Sequence, residues 1–158
     1  MTEIDLKQYP SIEVAYGFVL PSYQLLTGRF EAADNRLGAL MGMGSTLALG
    51  APLFAKTIRP DISFGSPWLI GALAIFGVIT FLGLLARIRG VLILPNPRLL
   101  HETGLGKPEL EFKADAIYIS GQHFEHNAKA INDKGDWAIA LTTLLAVEVC
   151  LFIVWIAR

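Results

Sequence analysis

The chain has 158 residues, of which 53% are hydrophobic and only 17% are charged, and its net charge at neutral pH is −1. Soluble domains carry about 25% charged residues, so this composition favours a single domain embedded in a membrane. The near-zero net charge argues against a nucleic-acid partner, and a lone cysteine, Cys150, excludes an intrachain disulfide.

Residues 11–36 are predicted to form an amphipathic helix. Apolar residues recur there at alternating steps of four and three, a spacing that places them on one face of a helix. This first seam consists of Ile12, Tyr16, Val19, Tyr23, Leu26, Phe30, Ala33 and Leu37. Pro21 lies within the pattern and is predicted to kink or split the helix, because proline has no amide hydrogen to donate.

Three apolar runs are each long enough to cross a bilayer, for which about 20 residues are needed. The runs are residues 37–55, 67–86 and 137–157. The first run contains a GxxxG pair, Gly38 and Gly42, which would let another helix approach closely. The sequence therefore predicts an all-α, polytopic membrane protein with three transmembrane helices.

A second amphipathic helix is predicted over residues 108–134, after a linker of residues 87–107. Its second seam consists of Leu110, Ala114, Ile117, Gly121, Phe124, Ala128 and Ile131. Large and small residues alternate along this seam, which is typical of helices that pack closely against a partner. Gly135 either continues the seam or marks a break before the third span.

Both amphipathic helices lead directly into spans, so they are predicted to pack together as a cytoplasmic stalk within one membrane domain of residues 1–158. Seven Lys and Arg residues lie between the second and third spans and three precede the first, against two in the first link and one after the third span. By the positive-inside rule, the N-terminus and residues 87–136 face the cytoplasm, and the C-terminus lies outside the inner (plasma) membrane.

Glu148 lies near the middle of the third apolar run, where a charged side chain is costly. It is expected to face other helices and to keep its proton, at the depth of Ser45 and Thr46 in the first span and Gly77 in the second. The hydroxyls of Ser45 and Thr46 are candidate hydrogen-bond partners of the Glu148 carboxyl, and Gly77 would leave room for it. Two interpretations stay open: a polar site in a pore or proton path, or a neutral carboxyl that joins helices.

His123 and His126 are three residues apart, which places both imidazoles on one side of a helix where they could share a metal ion. No third ligand lies close in sequence, so a polar helix face is the favoured interpretation. The spans contain no histidine, so haem between them is not expected. The sequence thus predicts neither a metal, a cofactor nor a catalytic group, and the protein is expected not to be an enzyme.

Two stretches resemble the small helical membrane effectors of Pycsar-type and related bacterial antiphage signalling systems. They are "RFEAADNRLGALMG", from Arg29 to Gly42, and "HNAKAINDKGDWAIAL", from His126 to Leu141. The resemblance implies a non-enzymatic protein that self-associates in the lipid bilayer and impairs the inner membrane. The alternative is an accessory subunit of a larger membrane transport or respiratory complex.

Overall fold

The computed structural model describes residues 11–96, 98, 102, 104 and 106–158. Within this described part the chain is helical and contains no strand, which confirms the predicted all-α class. The helices are α1 (Ile12–Gly17), α2 (Val19–Ile58), α3 (Pro67–Ile88) and α4 (Glu109–Ala157).

Three helical segments are long and apolar enough to cross a membrane: Ile12–Ile58, Pro67–Ile88 and Glu109–Ala157. They contain the three predicted spans, so the prediction of three transmembrane helices is confirmed by length and composition. Helix α4 alone has 49 residues, about twice the number needed to cross a bilayer.

The predicted interruption near Pro21 is a split between α1 and α2 at Phe18. In an unbroken helix the amide of residue 21 would donate to the carbonyl of Gly17, and proline cannot make that bond. The amide and the hydroxyl of Ser22 both donate to the Phe18 carbonyl, at 3.0 and 2.6 Å, and thereby start the first turn of α2.

No break occurs at Gly135, because α4 continues through it. One face of α4 stays buried across this point, at Asn127, Ala130, Lys134, Ala138 and Leu141. Steps of three and four join these residues, so they form one stripe along the helix. Burial on both sides of Gly135 supports the helical conformation that glycine alone disfavours by about 1 kcal/mol.

Contacts divide the described chain into two compact units. The first unit comprises the described residues of 11–30 and 91–131, and the second comprises Glu31–Gly90 together with Asn132–Arg158. Helices α2 and α4 each contribute to both units. The boundaries at Phe30 and Ile131 lie inside the continuous helices α2 and α4, and the boundary at Gly90 lies just after the end of α3.

The second unit contains the three spans and two apolar clusters. One cluster consists of Leu37, Leu40, Ile79, Ala86, Ala138 and Leu141. The other consists of Ala55, Ile62, Leu69, Ala72, Phe152 and Trp155. Two hydrogen bonds join the link between α2 and α3 to the end of α4. Trp155 Nε1 donates to the Ser63 carbonyl at 3.0 Å, and Arg59 Nη1 donates to the Ile156 carbonyl at 2.9 Å.

The first unit buries the first seam: Ile12, Tyr23 and Leu26 are buried, and the other seam residues up to Phe30 are half-buried. Ion pairs flank this apolar contact. Lys113 donates to Glu109 and Glu13, and these hydrogen bonds raise the pKa of Lys113.

The linker leaves α3 at Gly90, whose φ of 82° lies in the left-handed region that glycine tolerates best. Residues 91–96 are neither helix nor strand. The buried Asn127 side chain fixes them, since its amide oxygen accepts from the Ile93 N–H at 2.8 Å and its amide nitrogen donates to the Ile93 carbonyl at 2.9 Å. Pro97 lies outside the described residues.

Candidate functional site

Glu148 lies in the interior of the second unit. Its side chain is fully buried, and neither carboxyl oxygen has a hydrogen-bond partner. The carboxyl packs on the bare backbone of Gly44 in α2: a Cβ at that position would be 3.3 Å from Glu148 Oε2 and 3.5 Å from the ring of Phe76. A contact of 3.3 Å is tighter than nearly all real Cβ contacts, so glycine at position 44 makes room for the acid.

The predicted partners of Glu148 do not bind it. Ser45 Oγ donates to the Met41 carbonyl and Thr46 Oγ1 donates to the Gly42 carbonyl, both at 2.9 Å within α2. Hydroxyls in apolar helices commonly bond back to the preceding turn in this way. Gly77 does not make room for the Glu148 carboxyl either, because Gly77 is exposed and a Cβ there would meet nothing within 4 Å.

A second buried ionisable group, Lys134, lies three residues before the predicted third span. Its side chain is only 2% exposed and donates to Asp34 of α2 and to the Arg87 carbonyl at the end of α3. Lys134 therefore joins three helices of the second unit. Charge pairing satisfies this group, in contrast to the carboxyl of Glu148.

The glycines of the GxxxG pair and of the second seam are open within one chain, whereas most other residues of the second seam are partly covered. A Cβ at Gly38, Gly42 or Gly121 would meet nothing within 4 Å. Phe124 is exposed, and the remaining seam residues are half-buried: Leu110, Ala114, Ile117, Ala128 and Ile131. The stripe that α4 buries follows Asn127, Ala130 and Lys134 instead. At about 100° per residue, it lies on the side of the helix opposite Gly121.

The two histidines do not share a site. His123 Nδ1 lies 2.6 Å from the hydroxyl of Tyr23, whose pKa is raised by burial, whereas His126 is exposed. Within the residues that the structure describes, no three His, Cys, Asp or Glu side chains are grouped as metal ligands would be. The third histidine of the chain, His101, lies outside the described residues.

Sequence reasoning missed three residues that organise the interior: Gly44, Asn127 and Lys134. A search for apolar periodicity passes over all three, because none is a large apolar residue. The distance from Glu148 to Lys134 on α4 is 14 residues, or four turns at 3.6 residues per turn. That spacing places both on one face and would have predicted a buried lysine once Glu148 was assigned to the interior.

No protein-family model, curated protein or solved structure matches the chain.

Proposed function

We propose that the protein is a non-enzymatic integral membrane protein that associates with further copies of itself. The observation that carries this proposal is the number of large apolar side chains exposed in the first unit. They are Val14, Phe18, Leu20, Leu25, Val91, Ile93, Leu94, Tyr118, Ile119 and Phe124. All lie outside the predicted spans, so we propose that protein rather than lipid covers them.

Exposed apolar residues in the spans have a simpler explanation. Phe81 and Ile153, about 60% exposed in the single chain, lie on segments expected to contact lipid. Exposed apolar surface on parts of a membrane protein outside its spans is typical of protein interfaces. Single exposed apolar residues are ordinary, but here they accompany a seam with the spacing of packed helices.

The second seam supplies the geometry for such an interface. Gly121 is open, and Phe124 is 39% exposed three residues later on the same side of α4. The open glycine leaves a gap on this helix face, and the large apolar side chain beside it projects from the same face. When the same face of a second copy is turned toward it, the Phe124 side chain of each copy can fill the gap at Gly121 of the other. We therefore place the contact between copies at this face.

The resemblance to antiphage effectors adds a consequence of assembly, namely impairment of the inner membrane. We propose this as the activity of the assembled protein. The positive-inside distribution of Lys and Arg supports an orientation with the N-terminus and residues 87–136 in the cytoplasm and the C-terminus outside.

Assembly is tested by extracting the protein from membranes in polymer nanodiscs and measuring the particle mass for the parent, Gly121→Leu and a His126→Gln control. Because a side chain at position 121 meets nothing within the chain, Gly121→Leu should keep the fold of one copy while preventing close approach of two. The parent and the control should form particles of several copies, and Gly121→Leu should lose most of them. Expression should permeabilise cells only for the variants that assemble.

The alternative, an accessory subunit, makes a different prediction for the same experiment. Particles that hold one copy of this chain together with a different membrane protein would contradict self-association. Parent particles of a single copy alone would contradict it equally.

Orientation is tested separately with single cysteines in a Cys150→Ala background and a thiol reagent that cannot cross the membrane. In intact cells a cysteine at position 158 should be labelled, and one at position 125 should be labelled only after the cells are opened. Labelling of position 125 in intact cells would contradict the proposed orientation.

A further inference from the structure

Glu148 is the only acidic or basic residue in the three predicted spans, residues 37–55, 67–86 and 137–157. No lysine, arginine or histidine within them can neutralise it. The structure adds that the side chain is fully buried and that both of its oxygens are unpaired. The feature to be explained is therefore an isolated carboxyl in an apolar interior.

The surroundings of the carboxyl supply no compensating charge. Helix α2 presents the backbone of Gly44, and helix α3 presents Phe76 and Ile79, the three groups that meet at this level. None of them titrates. Thr80, next to Ile79 in α3, has a second buried oxygen without a hydrogen-bond partner. The interior of the second unit thus contains two unsatisfied polar groups and no ion pair at this depth.

The free-energy cost of burying a charge determines which ligand this carboxyl can bind. An isolated carboxylate in an apolar medium costs tens of kcal/mol by Born solvation, whereas an uncharged polar group costs about 2–7 kcal/mol. A metal cation would need several oxygen ligands around it, and the apolar contacts at Gly44, Phe76 and Ile79 provide none. A proton is the one ligand that removes the charge without further partners.

Burial within one chain also limits what a second copy can do. A hydrogen bond between subunits requires that the carboxyl reach the surface of its own bundle, and Glu148 has no exposed surface. The interpretation of Glu148 as a link between subunits therefore does not fit the closed bundle. If Glu148 instead joined helices within one chain, its carboxyl would need a hydrogen-bond partner there, and neither oxygen has one.

We propose that Glu148 is an intramembrane proton-binding site, occupied by a proton in the closed bundle and emptied only when the bundle opens or admits water. The reaction is the reversible transfer of one proton between the carboxyl and water, with no other bond made or broken. Because the closed bundle binds the proton more tightly than the open one, loss of the proton favours opening. The proposal does not depend on self-association, since all the contacts are within one chain.

The test is infrared spectroscopy of the protein in lipid nanodiscs at neutral pH, where exposed Asp and Glu residues are ionised. The parent should show the carbonyl band of a protonated carboxylic acid. Glu148→Gln, which resembles the neutral acid in shape and hydrogen bonding, should lack the band. Glu125→Gln, the same change at an exposed position of α4, should keep it. Absence of the band from the parent, or its persistence in Glu148→Gln, would overturn the proposal.

Thermal stability in the same nanodiscs provides a second readout. A proton bound in the closed state stabilises the bundle at low pH, and that contribution is lost as pH rises. The midpoint of unfolding should therefore fall as pH rises in the parent and in Glu125→Gln, and the fall should be lost in Glu148→Gln. An equal fall in all three proteins would contradict the coupling. If Glu148→Gln does not fold, isotope-labelled glutamate in the parent identifies the band, and a band unmoved by the label overturns the assignment.

Discussion

Three polar side chains lie buried along α4, and each meets the cost of burial in a different way. Asn127 bonds both backbone groups of Ile93, Lys134 pairs with Asp34, and Glu148 has no partner. Burial was predicted from the sequence only for Glu148, because an acid within a membrane-spanning apolar run is expected to face other helices rather than lipid. Asn127 lies in polar sequence, where nothing distinguishes a buried polar residue from an exposed one until its partner is known, whereas burial of Lys134 follows only from its helical spacing to Glu148.

The Lys134–Asp34 pair predicts an asymmetry between two substitutions. Asp34→Asn leaves the charge of Lys134 at 2% exposure, whereas Lys134→Met leaves the charge of Asp34 at 27% exposure, where water still solvates it. Removing one partner of a buried pair commonly costs about 3–5 kcal/mol. We expect Asp34→Asn to approach that range and Lys134→Met to cost about 1 kcal/mol, because methionine packs well and Asp34 stays hydrated.

Chemical or thermal unfolding in detergent measures both values, with Asp133→Asn at an exposed position of α4 as the control. Equal destabilisation by Asp34→Asn and Lys134→Met would mean that the two charges are equally hydrated. That result would contradict the burial assigned to Lys134.

At the scale of elements, the two seams differ in how deeply they are buried, although both were predicted from the same kind of apolar spacing. The residues of the first seam are buried or half-buried in the structure. The second seam contains the open Gly121 and the exposed Phe124, and α4 buries a stripe through Asn127 and Lys134 instead. Apolar periodicity predicts the buried face when apolar contacts alone determine it. On α4 five of the seven seam residues are half-buried, while the fully buried stripe includes two polar residues with specific partners, Asn127 and Lys134.

The span helices predict a contrast between two glycines of α3. A Cβ at Gly83 would lie 2.5 Å from Met41 Sδ and 2.7 Å from Met41 Cγ, whereas a Cβ at Gly77 would meet nothing within 4 Å. Overpacking commonly costs about 1–3 kcal/mol, and the flexible Met41 side chain should keep the cost of Gly83→Ala near the low end. Gly77→Ala should be neutral or slightly stabilising, since alanine favours helix by up to about 1 kcal/mol over glycine.

Thermal unfolding of the two alanine variants in the same detergent measures this contrast. If Gly77→Ala destabilised the protein as much as Gly83→Ala, the close contact between α2 and α3 at Met41 would not be where the structure places it.

At the scale of the whole molecule, the sequence predicted three spans and two amphipathic segments, and the described chain divides into units close to that division. The unit boundaries within α2 and α4 fall at Phe30 and Ile131, a few residues before the apolar runs begin at 37 and 137, and the third falls at Gly90, four residues after the second run ends. Asp34 and Lys134 lie in these intervals, belong to the unit of the spans and form an ion pair. The apolar runs could be located from composition, but this polar extension could not, because it depends on a contact between residues 100 positions apart.

Self-association through the open face of α4 is tested most directly by disulfide cross-linking in native membranes. Gly121→Cys and His126→Cys are compared in a Cys150→Ala background. Both positions are exposed, but they lie about 140° apart around the helix. We predict that Gly121→Cys gives a covalent dimer of this chain on mild oxidation and that His126→Cys gives little. Absence of the dimer from Gly121→Cys, or equal cross-linking at both positions, would contradict the proposed interface.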